Sequence, residues 1–371
     1  NSKRVVKIET SQKVVFKGIT MAYGNKRDNS TEAGGVEIKS GSNVEMHYCN
    51  VMWNVSTESS AGIRLDGSKL YCYKSNISFN QSNNRGSGIR ISEAGANYST
   101  LTLESCLLSY NTQDSEWGGA IQVSGSNENK LYCFNSTIAY NKSGRGGAAI
   151  NSAGYVYIVS STIAHNTCSN ADQGHDLRCE SSERMHIINS IITGNPENTP
   201  NIFLNGNGKK IVSDGYNVIG SVGGTGSYIY TKHNTDIEGQ YQADVFGRNA
   251  FLSQNGGYPK TLMLAENITP IDLTTLNTYK ATHSLTADLS VDQRGFARAE
   301  NTSIGACEQP VVYEMTKIEN LVKEIKDPSS DYVFVISHRA DWRHAPENSL
   351  QAIRNAIDHG IDMVEIDVQR T

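Results

Sequence analysis

One six-residue phrase recurs along most of the chain and limits its fold more than any other feature. It reads CNVMWN at 49–54, SNISFN at 75–80, CLLSYN at 106–111, STIAYN at 136–141, STIAHN at 161–166 and SIITGN at 190–195, with a looser copy, TMAYGN, ending at Asn25. The closing asparagines are Asn25, Asn54, Asn80, Asn111, Asn141, Asn166 and Asn195, so the period is 25–31 residues. Read with the two-residue period of a strand, positions one, three and five share a face. Position one is small (Cys49, Ser75, Cys106, Ser136, Ser161, Ser190). Position three is aliphatic (Val51, Ile77, Leu108, Ile138, Ile163, Ile192). Position five is mostly aromatic (Trp53, Phe79, Tyr110, Tyr140, then His165 and Gly194). Like therefore stacks on like. The closing Asn suits a turn, because its side chain tolerates left-handed backbone, and stacked Asn side chains can bond one another as a ladder.

A second phrase lies between copies of the first: GGVEI at 34–38, GIRL at 62–65, GIRI at 88–91, GGAIQV at 118–123 and GGAAIN at 146–151. Each period thus holds at least two strands separated by Gly/Ser/Asn turns. This predicts a mainly β chain, a right-handed parallel β-helix with one coil per period. A propeller's Trp-Asp signature and a leucine-rich pattern are both missing. The 33 Gly, 18 Tyr and only 7 Pro fit a fold of many turns and short strands.

The outward position of the second phrase reads Glu37, Arg64, Arg90, Gln122 and Asn151. Two readings stand. One is a groove that grips an acidic glycan; the plainer one is a solvated ladder in which Glu37 and Arg64 pair. No paired carboxylates recur at neighbouring coils, which weakens a polysaccharide-lyase reading. His165 stands in an aromatic column and is expected to pack there. The seven cysteines include no CxxC pair. Cys49 and Cys106 are two coils apart, as are Cys72 and Cys133, which at the ~4.8 Å strand spacing is roughly 10 Å and too far for a disulfide. They are expected as buried small side chains. A formal net charge of −5 argues against an electrostatic nucleic-acid binder. No apolar run is long enough for a membrane helix.

After Pro310 the pattern changes. Met315, Ile318, Leu321, Val322 and Ile325 fall at helical intervals, so 311–330 is expected as a linker helix ended by Asp327-Pro328. YVFVISH at 332–338 reads as a buried strand. A second helix opens at Ser349-Leu350 with Leu350, Ile353, Ala356 and Ile357 on one face, and IDMVEIDV at 361–368 is the next buried strand. Together they make a parallel βαβ unit. His338 and Arg339 close its first strand, and Glu365 and Asp367, two apart, point the same way. Two carboxylates suit a hard cation such as Ca²⁺ or Mg²⁺, an Arg suits a phosphate and a His suits proton transfer. Residue chemistry alone thus points to metal-assisted phosphoester hydrolysis at the C-terminal ends of barrel strands.

The repeat phrases over roughly 15–310 resemble bacterial surface and secreted parallel β-helix proteins. DQRGFAR at 292–298 and SIGACE at 303–308 look like the closing strands of such proteins, which ends that domain at 1–310. The segment SHRADWRHAPENSLQAIRNAIDHGIDMVEIDVQRT resembles the opening of a glycerophosphodiester phosphodiesterase domain, with His-Arg, Pro-Glu-Asn-Ser and Glu-x-Asp in order. The resemblance implies a (β/α)₈ barrel begun at 331–371 and hydrolysis of glycerophosphodiesters to glycerol 3-phosphate and an alcohol. It gives His338 as one of two general acid/base histidines and Arg339 as phosphate ligand. Glu365 and Asp367 are the metal ligands, Glu347 a supporting acid and Asn348 a turn or capping residue. The family's second histidine and third acidic ligand follow later than Thr371, and 41 residues are a small part of a fold of about 250. Residues 1–371 alone are therefore expected to be inactive. The whole reads as part of an exported bacterial protein whose β-helix binds glycan or surface. The rivals are a non-enzymatic β-helix adhesin and a β-helix lyase.

Overall fold

The computed structural model describes residues 3–28, 31–125, 128–170, 173–194, 200–247, 251–253, 255–265, 271–309, 335–341, 343, 345–358, 361 and 363–367. It divides into two compact units, Asn1–Gln309 and Pro310–Thr371. The proposed linker helix at 311–330, the first residues of the strand read at 332–338 and Asn195 lie outside the described residues.

The first unit is a parallel β-solenoid. Three nine-stranded parallel sheets run its length, from Val6–Ile8 to Val222–Thr225, from Lys13–Lys17 to Ile229–Thr231 and from Thr20–Ala22 to Ile237–Glu238. A fourth sheet of six two-residue strands runs from Asn25–Lys26 to Thr167–Cys168. The two repeat phrases form the third and first sheets. The second sheet had no phrase of its own: its strands, such as Lys69–Tyr73 and Lys130–Phe134, share alternation rather than letters. Inside, aliphatic side chains stack coil on coil. Val51, Ile77, Leu108, Ile138, Ile163 and Ile192 are all buried and belong to one continuous core.

Each coil turns at two left-handed corners. At the first, Tyr48, Lys74, Ser105, Asn135, Ser160 and Asn189 have φ between 44° and 57°. The next residue is the small position one, whose backbone N–H is taken by a hydroxyl one coil on. Cys49 N donates to Ser75 Oγ (3.1 Å), Cys106 N to Ser136 Oγ (3.0 Å) and Ser161 N to Ser190 Oγ (3.2 Å). At the second corner the left-handed residue is the aromatic, not the asparagine: Tyr23, Trp53, Phe79, Tyr110, Tyr140 and His165 have φ of 54–61°. That backbone breaks the strand's alternation, so position five turns outward instead of facing the core with positions one and three. Trp53, Phe79 and Tyr110 are 45, 44 and 41% exposed. Their rings still stack, at 5.5 Å for Tyr23–Trp53, 5.9 Å for Trp53–Phe79, 5.0 Å for Phe79–Tyr110 and 5.3 Å for Tyr110–Tyr140. His165 continues the column against Tyr140 at 4.9 Å and is buried.

The asparagine after each aromatic is the buried ladder. Nδ2 donates forward to the next coil's Oδ1 from Asn54 to Asn80 (3.0 Å), Asn80 to Asn111 (2.9 Å), Asn111 to Asn141 (2.9 Å) and Asn141 to Asn166 (2.9 Å). Each Oδ1 also accepts the preceding coil's backbone N–H, as Asn111 does from Asn80 N (3.1 Å). The first copy is shifted by one: Gly24, not Asn25, occupies the ladder level, its N donating to Asn54 Oδ1 (2.7 Å). At the far end the ladder meets a carboxylate. Asp176 Oδ1 accepts from Asn166 Nδ2 (2.8 Å) and Oδ2 accepts from Asn201 Nδ2 (2.7 Å), which points back along the axis. Two donors converging from opposite sides need two acceptors, and a carboxyl group supplies them.

The other expectations divide. All seven cysteines are free and buried, and burial pushes the Cys106 thiol up to about 12 and the Cys133 thiol to about 11. Glu37 and Arg64 do not pair. Each is already met by another opposite charge: Glu37 is fully buried between Arg4 of the preceding coil and Lys39 of its own, while Arg64 Nε lies 2.8 Å from Asp66 on the same strand. The segment 292–308 is not a set of closing strands. Only Asn301–Thr302 is a strand, antiparallel to Ile271–Asp272. The rest is a loop folded on the solenoid's flank, where buried Arg298 donates to Asn135 Oδ1 (3.0 Å) and Gln293 Nε2 to Cys106 O (2.9 Å). Phe246, Leu262 and Ile304 cover the small outward residues Ala139 and Ala164. Among the described residues no helix is long and apolar enough to cross a membrane.

Two predictions follow from the corners. Asn111→Leu removes the acceptor of the Asn80 backbone N–H and side-chain amide in the interior and is expected to cost about 3 kcal/mol, against about 1–2 for Phe79→Ala, which removes two exposed stacking contacts. Denaturant unfolding of both variants gives the order; equal losses would refute it. The second concerns Asp176. Burial raises its carboxyl from 3.8 to about 7 against the lowering pull of its Asn201 and Asn166 hydrogen bonds. The folded chain therefore holds a proton that the unfolded chain releases, and the resulting stability is full below the ordinary aspartate value and lost as pH rises toward 7. Wild type is expected to lose stability relative to Asp176→Asn over that window, by a few kcal/mol at the order-of-magnitude level. A pH-independent difference in melting would exclude it.

Candidate functional site

In the second unit, Ile336–His338 pairs in parallel with Met363–Glu365, in the register Ile336–Met363, Ser337–Val364 and His338–Glu365. The helix Leu350–Asp358 connects them. Ser349 caps that helix, its Oγ accepting from Ala352 N (3.1 Å). The unit is a βαβ start with its strand C-termini side by side. Burial differs from expectation. Ala352 and Ala356 are the covered helix residues while Leu350 is 75% exposed, and Val335, Ile336 and Ile366 are exposed rather than buried. Among the described residues, one helix and one partner strand cover only part of this short sheet.

Arg339 organises the cluster. It and Ala340 have φ of 59° and 60°, two consecutive left-handed residues at the strand's end. Such backbone costs of order 1–3 kcal/mol per residue and gathers at functional sites. The turn points Arg339 N at Glu365 Oε2 (3.2 Å). The guanidinium binds Glu347 through Nη1, at 3.2 and 3.1 Å to its two oxygens, and Nε lies 3.0 Å from Asp367 Oδ2 as a charge contact rather than an aligned hydrogen bond. Nη2 has no partner among the described residues. His338 Nε2 stands 3.6 Å from Glu365 Oε2. The Glu347 hydrogen bond is the main reason that the guanidinium's pKa is raised.

All five sequence-derived residues, His338, Arg339, Glu347, Glu365 and Asp367, are thus brought together. Every one is well exposed, His338 most of all, with 72% of its side chain open. Ion pairs this open are worth little individually. Asn348 does more than expected: with φ of 59° it places Oδ1 to accept from Asp367 N (3.0 Å), fixing the second carboxylate's backbone. A left-handed Asn between an acid and a helix cap was the available signal.

Residues 338–371 match the model of the Glycerophosphoryl diester phosphodiesterase family. The match begins at the histidine that ends the first strand. No curated protein and no solved structure matches the chain.

The donor set fits a hard divalent cation in chemistry. Three carboxylates face one guanidinium, leaving an excess of negative charge made of oxygen ligands. Among the described residues no three metal-ligating side chains surround a common point. It is Arg339 that gathers the carboxylates.

Proposed function

We propose that residues 331–371 are the opening strand–helix–strand of a metal-dependent glycerophosphodiester phosphodiesterase domain, in a protein that hydrolyses glycerophosphodiesters to glycerol 3-phosphate and an alcohol. The observation that carries this is the convergence of His338, Arg339, Glu347, Glu365 and Asp367 at the ends of two parallel strands, within the segment that matches the family. In this reading Glu365 and Asp367 hold Ca²⁺ or Mg²⁺, with Glu347 in support. The cation, when bound, draws electron density from the phosphoryl group. Arg339 turns its Nη2 N–H groups to a phosphate oxygen and stays oriented by Glu347 and Asp367. His338 moves the proton: water's oxygen bonds to phosphorus, the P–O bond to the alcohol breaks, and the departing oxygen receives a proton. Glu365 Oε2 lies 3.6 Å from the His338 Nε2 that carries this transfer. The β-helix is the glycan- or surface-binding part of an exported protein, a location suggested by its repeat phrases and checked by cell fractionation.

Calorimetric titration with Ca²⁺ and with Mg²⁺ tests the ligand assignment without any activity. Binding to residues 1–371 is expected to vanish in Glu365→Gln/Asp367→Asn. It should weaken in Asn348→Gly, which keeps the left-handed backbone but loses the Asp367 tether; binding that survives both changes refutes the assignment. Turnover of glycerophosphocholine is expected to be undetectable with 1–371 and to appear, cation-dependent, in a chain extended by the remaining strands. Robust release of glycerol 3-phosphate by 1–371 would overturn the need for the second histidine.

A further inference from the structure

A row of side chains on the outer face of the first solenoid sheet is built as a binding site. Parallel register places Glu37, Arg64, Arg90, Gln122, Asn151 and Arg178 on successive strands. They lie outside the core, yet Gln122, Asn151 and Arg178 are 5, 3 and 4% exposed. The loops that lead into each strand lean over them. Gly118 (φ +77°) and Gly147 (φ +61°) approach so closely that a Cβ on either would sit 2.9 Å from the Cβ of Gln122 or Arg178.

The two ends of the row differ. At the first, Glu37 is bonded to Arg4 and Lys39, and Arg64 to Asp66 and to Thr31 O. At the other, Arg90 Nε, Gln122 Oε1 and Arg178 Nε are buried with no hydrogen-bond partner; Glu37 Oε1 and Arg64 Nε also lack one, but each faces an opposite charge, Lys39 Nζ and Asp66 Oδ2. Arg90 makes no ion pair among the described residues. Burial first, then Arg64 and Arg85, lowers its pKa; burial, then Arg145, pushes that of Arg178 down to about 10. Arg178 Nη1 is held by Asn151 Oδ1 (3.1 Å) and Glu180. Beside this row opens a cleft of about 300 Å³ lined by Arg85, Trp117, Gln122, Asn151, Arg178 and Glu180. The Trp117 ring is a fixed wall, with the guanidiniums of Arg145 and Arg178 at 4.5 and 5.0 Å from its centroid and its Nε1 donating to Gln173 (3.3 Å).

A buried donor or acceptor left unbonded forfeits its hydration. Three of them on one row, beside one cleft, call for a ligand that completes them. Guanidiniums require anionic oxygens, and Gln122 Oε1 requires a hydroxyl donor. The row repeats at the strand spacing of ~4.8 Å, so Arg90 to Arg178 spans roughly 14 Å. A linear chain carrying both hydroxyls and acidic groups meets all three demands. A nucleic acid fits less well, since the cleft's one indole is already covered by guanidiniums and the chain's net charge is −5.

We propose that this cleft and the row beside it bind a segment of an acidic polysaccharide, its anionic groups on Arg85 and Arg178 in the cleft and on Arg90 in the row, and a sugar hydroxyl donating to Gln122 Oε1. The inference gives the β-helix's glycan role a place and a ligand class, and it stands apart from the phosphodiesterase assignment.

The test is calorimetric titration of the 371-residue chain with oligogalacturonate, a sulfated heparin oligosaccharide, a neutral malto-oligosaccharide and poly-dT. Binding of an acidic saccharide is expected, with the first two probes separating carboxylate from sulfate recognition. Its affinity should fall about tenfold in Arg90→Gln and in Gln122→Leu, each of which removes a charged or buried hydrogen bond. Arg85→Ser, in an exposed loop, should weaken it without moving the melting midpoint, so that loss of binding is distinguished from loss of fold. The neutral probe should not bind. Failure of both acidic probes at millimolar concentration, unchanged affinity in Arg85→Ser and Arg90→Gln, or equal binding of poly-dT would overturn the proposal. None of these outcomes bears on whether residues 331–371 belong to a phosphodiesterase.

Discussion

The solenoid depends on how each coil satisfies the backbone where it turns. A parallel strand ladder provides for its own amides, but at a corner the chain leaves the ladder and its N–H groups lose their partners. Here the corner N–H is taken by a side chain one coil on: Ser75, Ser136 and Ser190 at the first corner, Asn80, Asn111, Asn141 and Asn166 at the second. Each asparagine also donates inward, as Asn111 Nδ2 does to Ile77 O (2.9 Å), so one amide serves three coils. These contacts lie inside the structure, where an unmade bond is costly. They explain why coil length varies while the phrase does not: loops lengthen freely, but the corner residues are fixed in type.

That constraint is also what made the fold readable. The aliphatic third position, the small first position and the Asn are letters that burial and hydrogen bonding dictate, and they recur. Where letters are free, the reading failed. The second sheet's outward positions tolerate Glu45, Tyr71, Thr102, Tyr132 and Tyr157, so its strands share only alternation. The aromatics were assigned inward because a strict two-residue period was carried through a residue whose φ is positive. In the first copy, Gly24 takes the ladder position, where a Cβ would lie 1.8 Å from Gly34 O, and Asn25 falls one step later, paired with Val55. Pairing of Glu37 with Arg64 followed from adjacency on parallel strands, whereas Arg4, from the first coil's edge, reaches Glu37 instead.

The catalytic-type residues were legible because their spacing is a motif, but their mutual arrangement was not. Nothing in His-Arg-Ala states that Arg339 and Ala340 are both left-handed, and that backbone aims the Arg339 amide at Glu365. Arg339 was assigned to phosphate. Its Nη1 is bonded to Glu347 and its Nε faces Asp367, leaving one edge of the guanidinium for an outside oxygen. A planar fork held along one side and open along the other orients an anion better than a free side chain does.

The two units place guanidiniums in opposite settings. Arg339 is exposed and over-supplied with carboxylates, so in the proposed phosphodiesterase a phosphate would enter that field together with a cation. Arg90 lies half-buried with no carboxylate in contact, and Arg178 shares a single one, Glu180. An anion arriving there needs no cation, because the desolvation of the guanidinium has already been paid in folding and the bond formed is charge-assisted. The first kind of site suits a reacting phosphate, which must be held while charge develops and then released. The second suits an extended acidic chain that is gripped and left unchanged, and it is the rigid stacking of coils, fixed by the corner amides, that holds those guanidiniums at one strand spacing from their neighbours.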